Sequence, residues 1–163
     1  MIKTAMVITM LAMLTFAGSA PAQDKSPVGP DPASRAVPGQ MGGLEVFTAT
    51  QKSLPAAGDD YYRSDLHTGY DIEDPSGRSV AFVANHMSDL DEWPDRAALP
   101  PGNYKIVAES TSCGWVTVPV VIEKGKITVV HLDNNWSKTP AGQLVFLPNG
   151  EAIGWLSRPA GTE

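Results

Sequence analysis

The sequence predicts an all-β protein, a single antiparallel β-sandwich with an extra hairpin at its C-terminal end. Three observations carry this expectation. Short apolar or alternating runs recur at intervals of roughly 8–12 residues, the spacing of strands in sandwiches and barrels. Turn-forming Pro, Gly, Asn and Asp separate them. Nowhere does an apolar stripe at helical spacing run for a useful length. The segment 99–133, LPPGNYKIVAESTSCGWVTVPVVIEKGKITVVHLD, shows the pattern best, as three apolar strands joined by turns.

At the N-terminus, Lys3 precedes the uncharged apolar run Ala5 to Phe16, and Ala17-Gly18-Ser19-Ala20-Pro21-Ala22 follows. A short positive region, an apolar stretch and an A-x-A ending, here Ala20-Pro21-Ala22, form a secretory signal with cleavage expected between Ala22 and Gln23. A membrane anchor needs about 20 apolar residues, and this run is shorter and breaks into Gly, Ser and Pro. No cysteine follows the cleavage point, so no lipid anchor is expected there. The protein is therefore expected in the periplasm or outside the cell, with no integral membrane span after processing. Residues 23–42 hold Pro27, Pro30, Pro32 and Pro38 among small and polar residues. Such a stretch has little to bury and reads as a disordered tether.

The folded domain is expected over residues 43–157, with a disordered tail at 158–163. Leu44 to Thr50 is β-rich, and a polar loop through Asp59, Asp60, Tyr61 and Tyr62 follows. Tyr70-Asp71-Ile72-Glu73 alternates as a half-buried strand does. Asp74-Pro75-Ser76-Gly77 supplies a turn, with Pro75 presetting φ and Gly77 accepting an unusual one. Val80 to Val83 returns as the hairpin partner. An acidic loop, Asn85 to Arg96, leads to the short strand Ala97-Ala98-Leu99, stopped by Pro100-Pro101-Gly102. Strands then follow at Tyr104–Ala108, Trp115–Ile122 and Ile127–Leu132. Glu123-Lys124-Gly125-Lys126 reads as a hairpin turn with Gly125 at positive φ. Pro119 cannot donate to a ladder, which predicts a sheet edge or a bulge. Leu144–Leu147 and Ala152–Leu156 flank Pro148-Asn149-Gly150 as the final hairpin.

Charge and cysteine content narrow the function classes. The full chain has 12 Lys and Arg against 18 Asp and Glu; loss of Lys3 with the signal leaves 11 against 18, a net charge of −7. So acidic a protein repels phosphate backbones and anionic lipid, and no nucleic-acid partner is expected. Cys113 is the only cysteine, which precludes an intrachain disulfide in an exported, oxidising setting. Stability must come from an apolar core, which a domain of this size can build.

The run Leu99-Pro100-Pro101-Gly102-Asn103-Tyr104-Lys105-Ile106-Val107-Ala108, with Trp115 to Ile122, Gly125 and Val129-Val130, resembles carboxypeptidase-regulatory-like and PEGA-type domains. The shared features are an L-P-x-G-x-Y-x-V-x-A strand and a V-x-V-x-x-G-x-x-x-x-V hairpin, and the Tyr70 to Val83 hairpin fits the preceding part. The likeness spans about 65 residues and rests largely on the strand and turn chemistry those folds require. It implies a small prealbumin- or immunoglobulin-like sandwich serving as an accessory, surface or scaffold module. The 85–96 insertion and the extra C-terminal hairpin depart from that pattern.

Among candidate sites, Asp89, Asp91, Glu92 and Asp95 offer oxygen ligands of the kind Ca²⁺ takes. Their spacing is not that of an EF-hand loop, and a solvated loop guarding a sheet end is the simpler reading. His67, His86 and His131 lack the spacings of zinc modules. Trp93, Trp136, Tyr61 and Tyr62 lie on expected loops beside Asp59, Asp60, Asp95 and Asn134, where exposed rings can stack on sugars and neighbouring groups can bond hydroxyls. Tyr104, Trp115 and Trp155 fall in strands and are expected in the core. Cys113 reads as a partly buried turn thiol or as one half of a disulfide to another chain. The motifs of serine hydrolases, zinc proteases and nucleotide binders are absent from the sequence. The expectation is an exported, non-enzymatic module without cofactor, binding a protein or polysaccharide of the cell envelope or serving a structural role there. The alternative is a carbohydrate-binding module that uses the loop aromatics, with Ca²⁺ as an aid.

Overall fold

The computed structural model describes residues 26–32, 38–52, 65–86, 93–134 and 144–157. These hold no helix. Their strands in chain order are β1 (Val28–Gly29), β2 (Gly42–Phe47), β3 (Thr50–Lys52), β4 (Asp65–His67), β5 (Tyr70–Glu73) and β6 (Ser79–Val83), followed by β7 (Arg96–Leu99), β8 (Gly102–Ser110), β9 (Gly114–Ile122), β10 (Ile127–His131), β11 (Leu144–Phe146) and β12 (Ala152–Leu156). The expected signal at 1–22, its cleavage point and the tail at 158–163 lie outside the described residues.

Pairing is mostly antiparallel. One sheet runs β11-β12-β1-β9-β8-β5-β6, a second runs β10-β2-β7, and β3 pairs with β4. Strict alternation builds the interior. Along β9, Val116, Val118, Val120 and Ile122 are buried, and Ile106 and Ala108 of β8 lie directly opposite Val118 and Val116. Leu44, Val46, Leu99 and Val130 of the second sheet meet Tyr70, Ile72 and these residues in one apolar core. Each such side chain withdrawn from water stabilises the fold by about 1.5–3 kcal/mol before entropy is counted. Two of the three expected hairpins form, β5–β6 and β11–β12. Gly77 and Gly150 take positive φ in their turns, 89° and 86°.

Four expectations need correction. Val28–Gly29 and Gly42, inside the stretch read as a tether, are strand residues. Val28 is completely buried, pairs with Leu156 and Val120, and so joins the C-terminal hairpin to β9. One well-placed valine outweighs the surrounding prolines. Secondly, the 123–126 turn has Gly125 at φ 71° but joins no hairpin. β9 stays in the first sheet while β10 runs parallel to β2 in the second. Gly42 permits the crossing, because a Cβ there would stand 2.4 Å from the Glu123 carbonyl oxygen. Thirdly, Pro119 is at neither an edge nor a bulge. It lies opposite Lys105 in an interior strand whose other neighbour, β1, engages only Val120. Fourthly, Trp115 is two-thirds exposed. Because the even positions of β9 fill the interior, the two-residue period sends Trp115 to the outer face. Trp155 is buried as expected, and Tyr104 is half-buried with its hydroxyl donating to the Pro100 carbonyl at 3.0 Å.

Candidate functional site

Register brings several strand ends to one end of the protein. Phe47 lies beside His131, Arg96 beside Glu45, Tyr70 beside Val83, and Ser110 opposite Gly114. Backbone bonds tie the two sheets together there, from Ala49 N to Glu109 O and Thr111 N to Leu132 O, both 2.8 Å, while the bond from Leu132 N to Phe47 O at 2.6 Å extends the β10–β2 pairing.

Beneath this end lies a polar layer. Asn85 is fully buried with φ 72°, a left-handed conformation that asparagine tolerates better than most side chains. Its Nδ2 donates to Val46 O at 2.9 Å, Thr48 Oγ1 at 3.1 Å and Thr68 O at 3.2 Å. Thr48 Oγ1 in turn donates to Thr68 O at 2.7 Å. Buried His67 donates from Nδ1 to the Thr48 carbonyl at 2.8 Å, which fixes the proton on that nitrogen because a carbonyl only accepts. His86 Nδ1 reaches the His67 carbonyl at 3.3 Å. The Phe47 ring stacks on His131 at 4.4 Å and meets His67 edge-on at 5.5 Å. All three histidines thus gather at this end. Among the described residues no group of three or more His, Cys, Asp or Glu is placed to hold a metal.

A second polar group faces solvent. Ser112 Oγ donates to Glu151 Oε2, and Asn149 Nδ2 donates to Ser112 Oγ at 2.9 Å and Glu151 Oε2 at 3.3 Å. Oriented as its surroundings require, Asn134 Nδ2 faces Glu151 Oε2 at 2.6 Å. Asn134 takes φ 62°, so the backbone turns sharply to present that amide. Cys113 Sγ lies 3.8 Å from Ser112 Oγ. The one hydroxyl proton of Ser112 is directed to the carboxylate, so this sulfur contact is secondary. The group works as a clasp joining the 111–113 turn, the 133–134 turn and the β11–β12 turn.

On the outer face, Trp115 stands opposite Glu109 at the start of β9. Phe82 on β6 is 66 % exposed, and its ring lies across Gly69, where a Cβ would stand 2.5 Å from Phe82 Cζ. Three strand spacings separate the backbones of β6 and β9, roughly 14 Å. Between them the outer face shows Asp71 and Val107, cross-strand partners of Phe82 and Thr117.

Comparison with models of known families, with curated proteins and with solved structures returned no match. The site must therefore be judged on its own geometry.

The residues expected to matter are placed as follows. Trp93 is 73 % exposed just before β7, at the same end as the groups above. Asp95 is half-buried, and its carboxylate, with that of Glu45, adds to the burial that pushes the Tyr70 phenol upward. Asn134 is committed to Glu151. Tyr61, Tyr62, Trp136, Asp89, Asp91 and Glu92 lie outside the described residues. Sequence reasoning missed the exposure of Trp115, although the parity of Val116, Val118, Val120 and Ile122 contained the signal. It also missed the Ser112–Glu151 clasp, which unites residues 39 positions apart and leaves no local pattern.

Proposed function

We propose that the chain is an exported, non-enzymatic β-sandwich binding module that acts at the cell envelope or outside the cell. Its contact surface is the end that carries Trp93 and the adjoining outer sheet around Trp115. The observation that carries this reading is Trp115, a large ring left two-thirds exposed on the outer face of a strand whose alternate residues fill the core. Exposed tryptophans set among near-neutral residues supply a disproportionate share of binding energy. A sandwich of the carboxypeptidase-regulatory-like or PEGA type is supported by two β-layers sharing one core, although β9 and β10 fall in different layers in place of the hairpin the resemblance includes.

Affinity capture from native envelopes tests the reading, with wild type compared with Trp115→Ala. A partner retained by the wild type and bound about 30-fold or more weakly by the variant is expected, the loss typical of a tryptophan hot spot of about 2 kcal/mol. Equal retention by both would remove Trp115 as the contact. A carbohydrate ligand is the second reading, supported by Trp93 and its neighbour Asp95. Binding of a polysaccharide on a glycan array, lost with Trp93→Ala, selects that reading over a protein partner.

A further inference from the structure

We infer that Asn149 is a deamidation site held in check by the Ser112–Glu151 clasp, so that opening the clasp commits this turn to a one-way chemical change. The inference does not depend on the Trp115 binding reading. Asn149 is the only asparagine of the chain followed by glycine, and a residue without a Cβ leaves its backbone nitrogen open to attack the side-chain amide before it. Both residues are exposed, and a Cβ on Gly150 would meet nothing within 4 Å, so water reaches the reacting groups. The reaction needs only that water. Gly150 N gives up its proton and bonds to Asn149 Cγ, closing a cyclic imide. The Cγ–Nδ2 bond breaks, and Nδ2 leaves with that proton as ammonia. Water then opens the imide at either carbonyl, leaving an aspartyl or an isoaspartyl residue in place of the asparagine.

The folded turn opposes ring closure. Gly150 N donates to Leu147 O and Leu147 N to Glu151 O, both at 2.8 Å, and Gly150 takes φ 86°. These are the marks of a hairpin loop built on a type I turn followed by a left-handed glycine. Closure needs Asn149 Cβ and Gly150 N eclipsed about the Cα–C bond, roughly a third of a turn from the ψ of about 0° that this turn gives its third residue. The clasp holds the side chain against that rotation. Asn149 Nδ2 donates to Ser112 Oγ at 2.9 Å and Glu151 Oε2 at 3.3 Å, and Oδ1 accepts from Glu151 N at 3.1 Å. Conversion removes the two donated bonds for good, because an ionised carboxylate only accepts. It also sets a second negative charge against Glu151 where Nδ2 stood, and like charges so close repel. The clasp does not re-form.

Peptide mapping by mass after incubation at mildly alkaline pH tests this inference. The samples are the folded wild type, Ser112→Ala, Glu151→Ala, and the wild type unfolded in urea. Conversion at Asn149 is expected to be slow in the folded wild type and fastest in urea. In either variant it should run about tenfold faster than in the folded wild type, the factor given by losing one or two net hydrogen bonds. Far-ultraviolet dichroism shows which variants keep the sheet; if neither does, the folded and unfolded wild type decide between them. Cys113, half-buried in the clasped turn, should be alkylated faster in Asn149→Asp than in the wild type. Four results would overturn the inference: equal conversion in folded and unfolded wild type, no excess at Asn149 over Asn103 in urea, wild-type rates in a folded clasp variant, or unchanged alkylation of Cys113.

Discussion

Asp74 shows how one residue can organise a turn. Its Oδ1 accepts from Ser76 Oγ at 2.5 Å, Ser76 N at 2.9 Å and Arg78 N at 3.1 Å, while Oδ2 pairs with Arg78 Nε at 3.1 Å. Bonds from the Ser76 hydroxyl and the Arg78 backbone are the leading reasons that its pKa falls from 3.8 to about 2. A carboxylate with a depressed folded-state pKa stabilises the fold fully above its ordinary value and loses that contribution as pH falls through the lower one. The β5–β6 turn is therefore expected to loosen as pH falls from about 4 to about 2, read as lower protection of the Arg78 and Gly77 amides relative to their intrinsic exchange at each pH. Asp74→Asn should show the looser turn already at neutral pH and little further change on acidification. Pro75, Gly77 and the leading acid made this turn legible in the sequence. Asn85 was not legible, because its value lies in Val46, Thr48 and Thr68 carbonyl and hydroxyl groups supplied by distant segments.

At the scale of elements, the shortest strand has the widest consequence. β1 contributes two residues, yet it is the only neighbour joining β12 to β9. It fits because two glycines make room. A Cβ on Gly154 would stand 2.3 Å from Val28 Cγ1, and one on Gly29 would stand 2.6 Å from the Ser157 backbone. Gly154→Ala is expected to lower stability by about 1–3 kcal/mol through overpacking. In the Val28→Ala background the same substitution should cost less, because the methyl it meets is gone and contacting sites are non-additive. Urea unfolding of the four proteins in this cycle measures the difference. Additive costs would show that Val28 does not pack on Gly154. The hairpins β5–β6 and β11–β12 were readable from turn residues between apolar runs. β3–β4 was not, because Thr50–Lys52 is wholly exposed and Leu66-His67 is too short a buried pair to show a period.

For the whole molecule, the proposed export and the acidity of the chain set the context in which the core must suffice. With Cys113 as the only cysteine, no internal crosslink restrains the unfolded chain, so burial between the two sheets has to offset the entropy of folding. Secretion is tested directly. The intact mass of the protein recovered outside the cytoplasm should correspond to a chain beginning at Gln23, and Ala22→Asp should leave the longer form uncleaved, since the processing site requires small residues. A recovered chain that retains Met1 would remove the export premise. The candidate end belongs to this scale too. Phe47, His67, His86 and His131 are scattered over 85 positions of sequence, and only the crossing of two sheets assembles them.

The sequence alone determined that the chain is built of strands, where most of them begin and end, and that the 74–77 and 148–150 turns close local hairpins. Those properties depend on neighbours a few residues apart: alternation, proline stops and glycine at positive φ. The tertiary structure decided the rest. It sent β9 and β10 to different layers, drew Val28 out of a proline-rich segment into the core, and turned Trp115 outward. Each of these outcomes depends on which distant strand occupies the adjacent space, and that competition among long-range contacts leaves no periodic trace in any one segment.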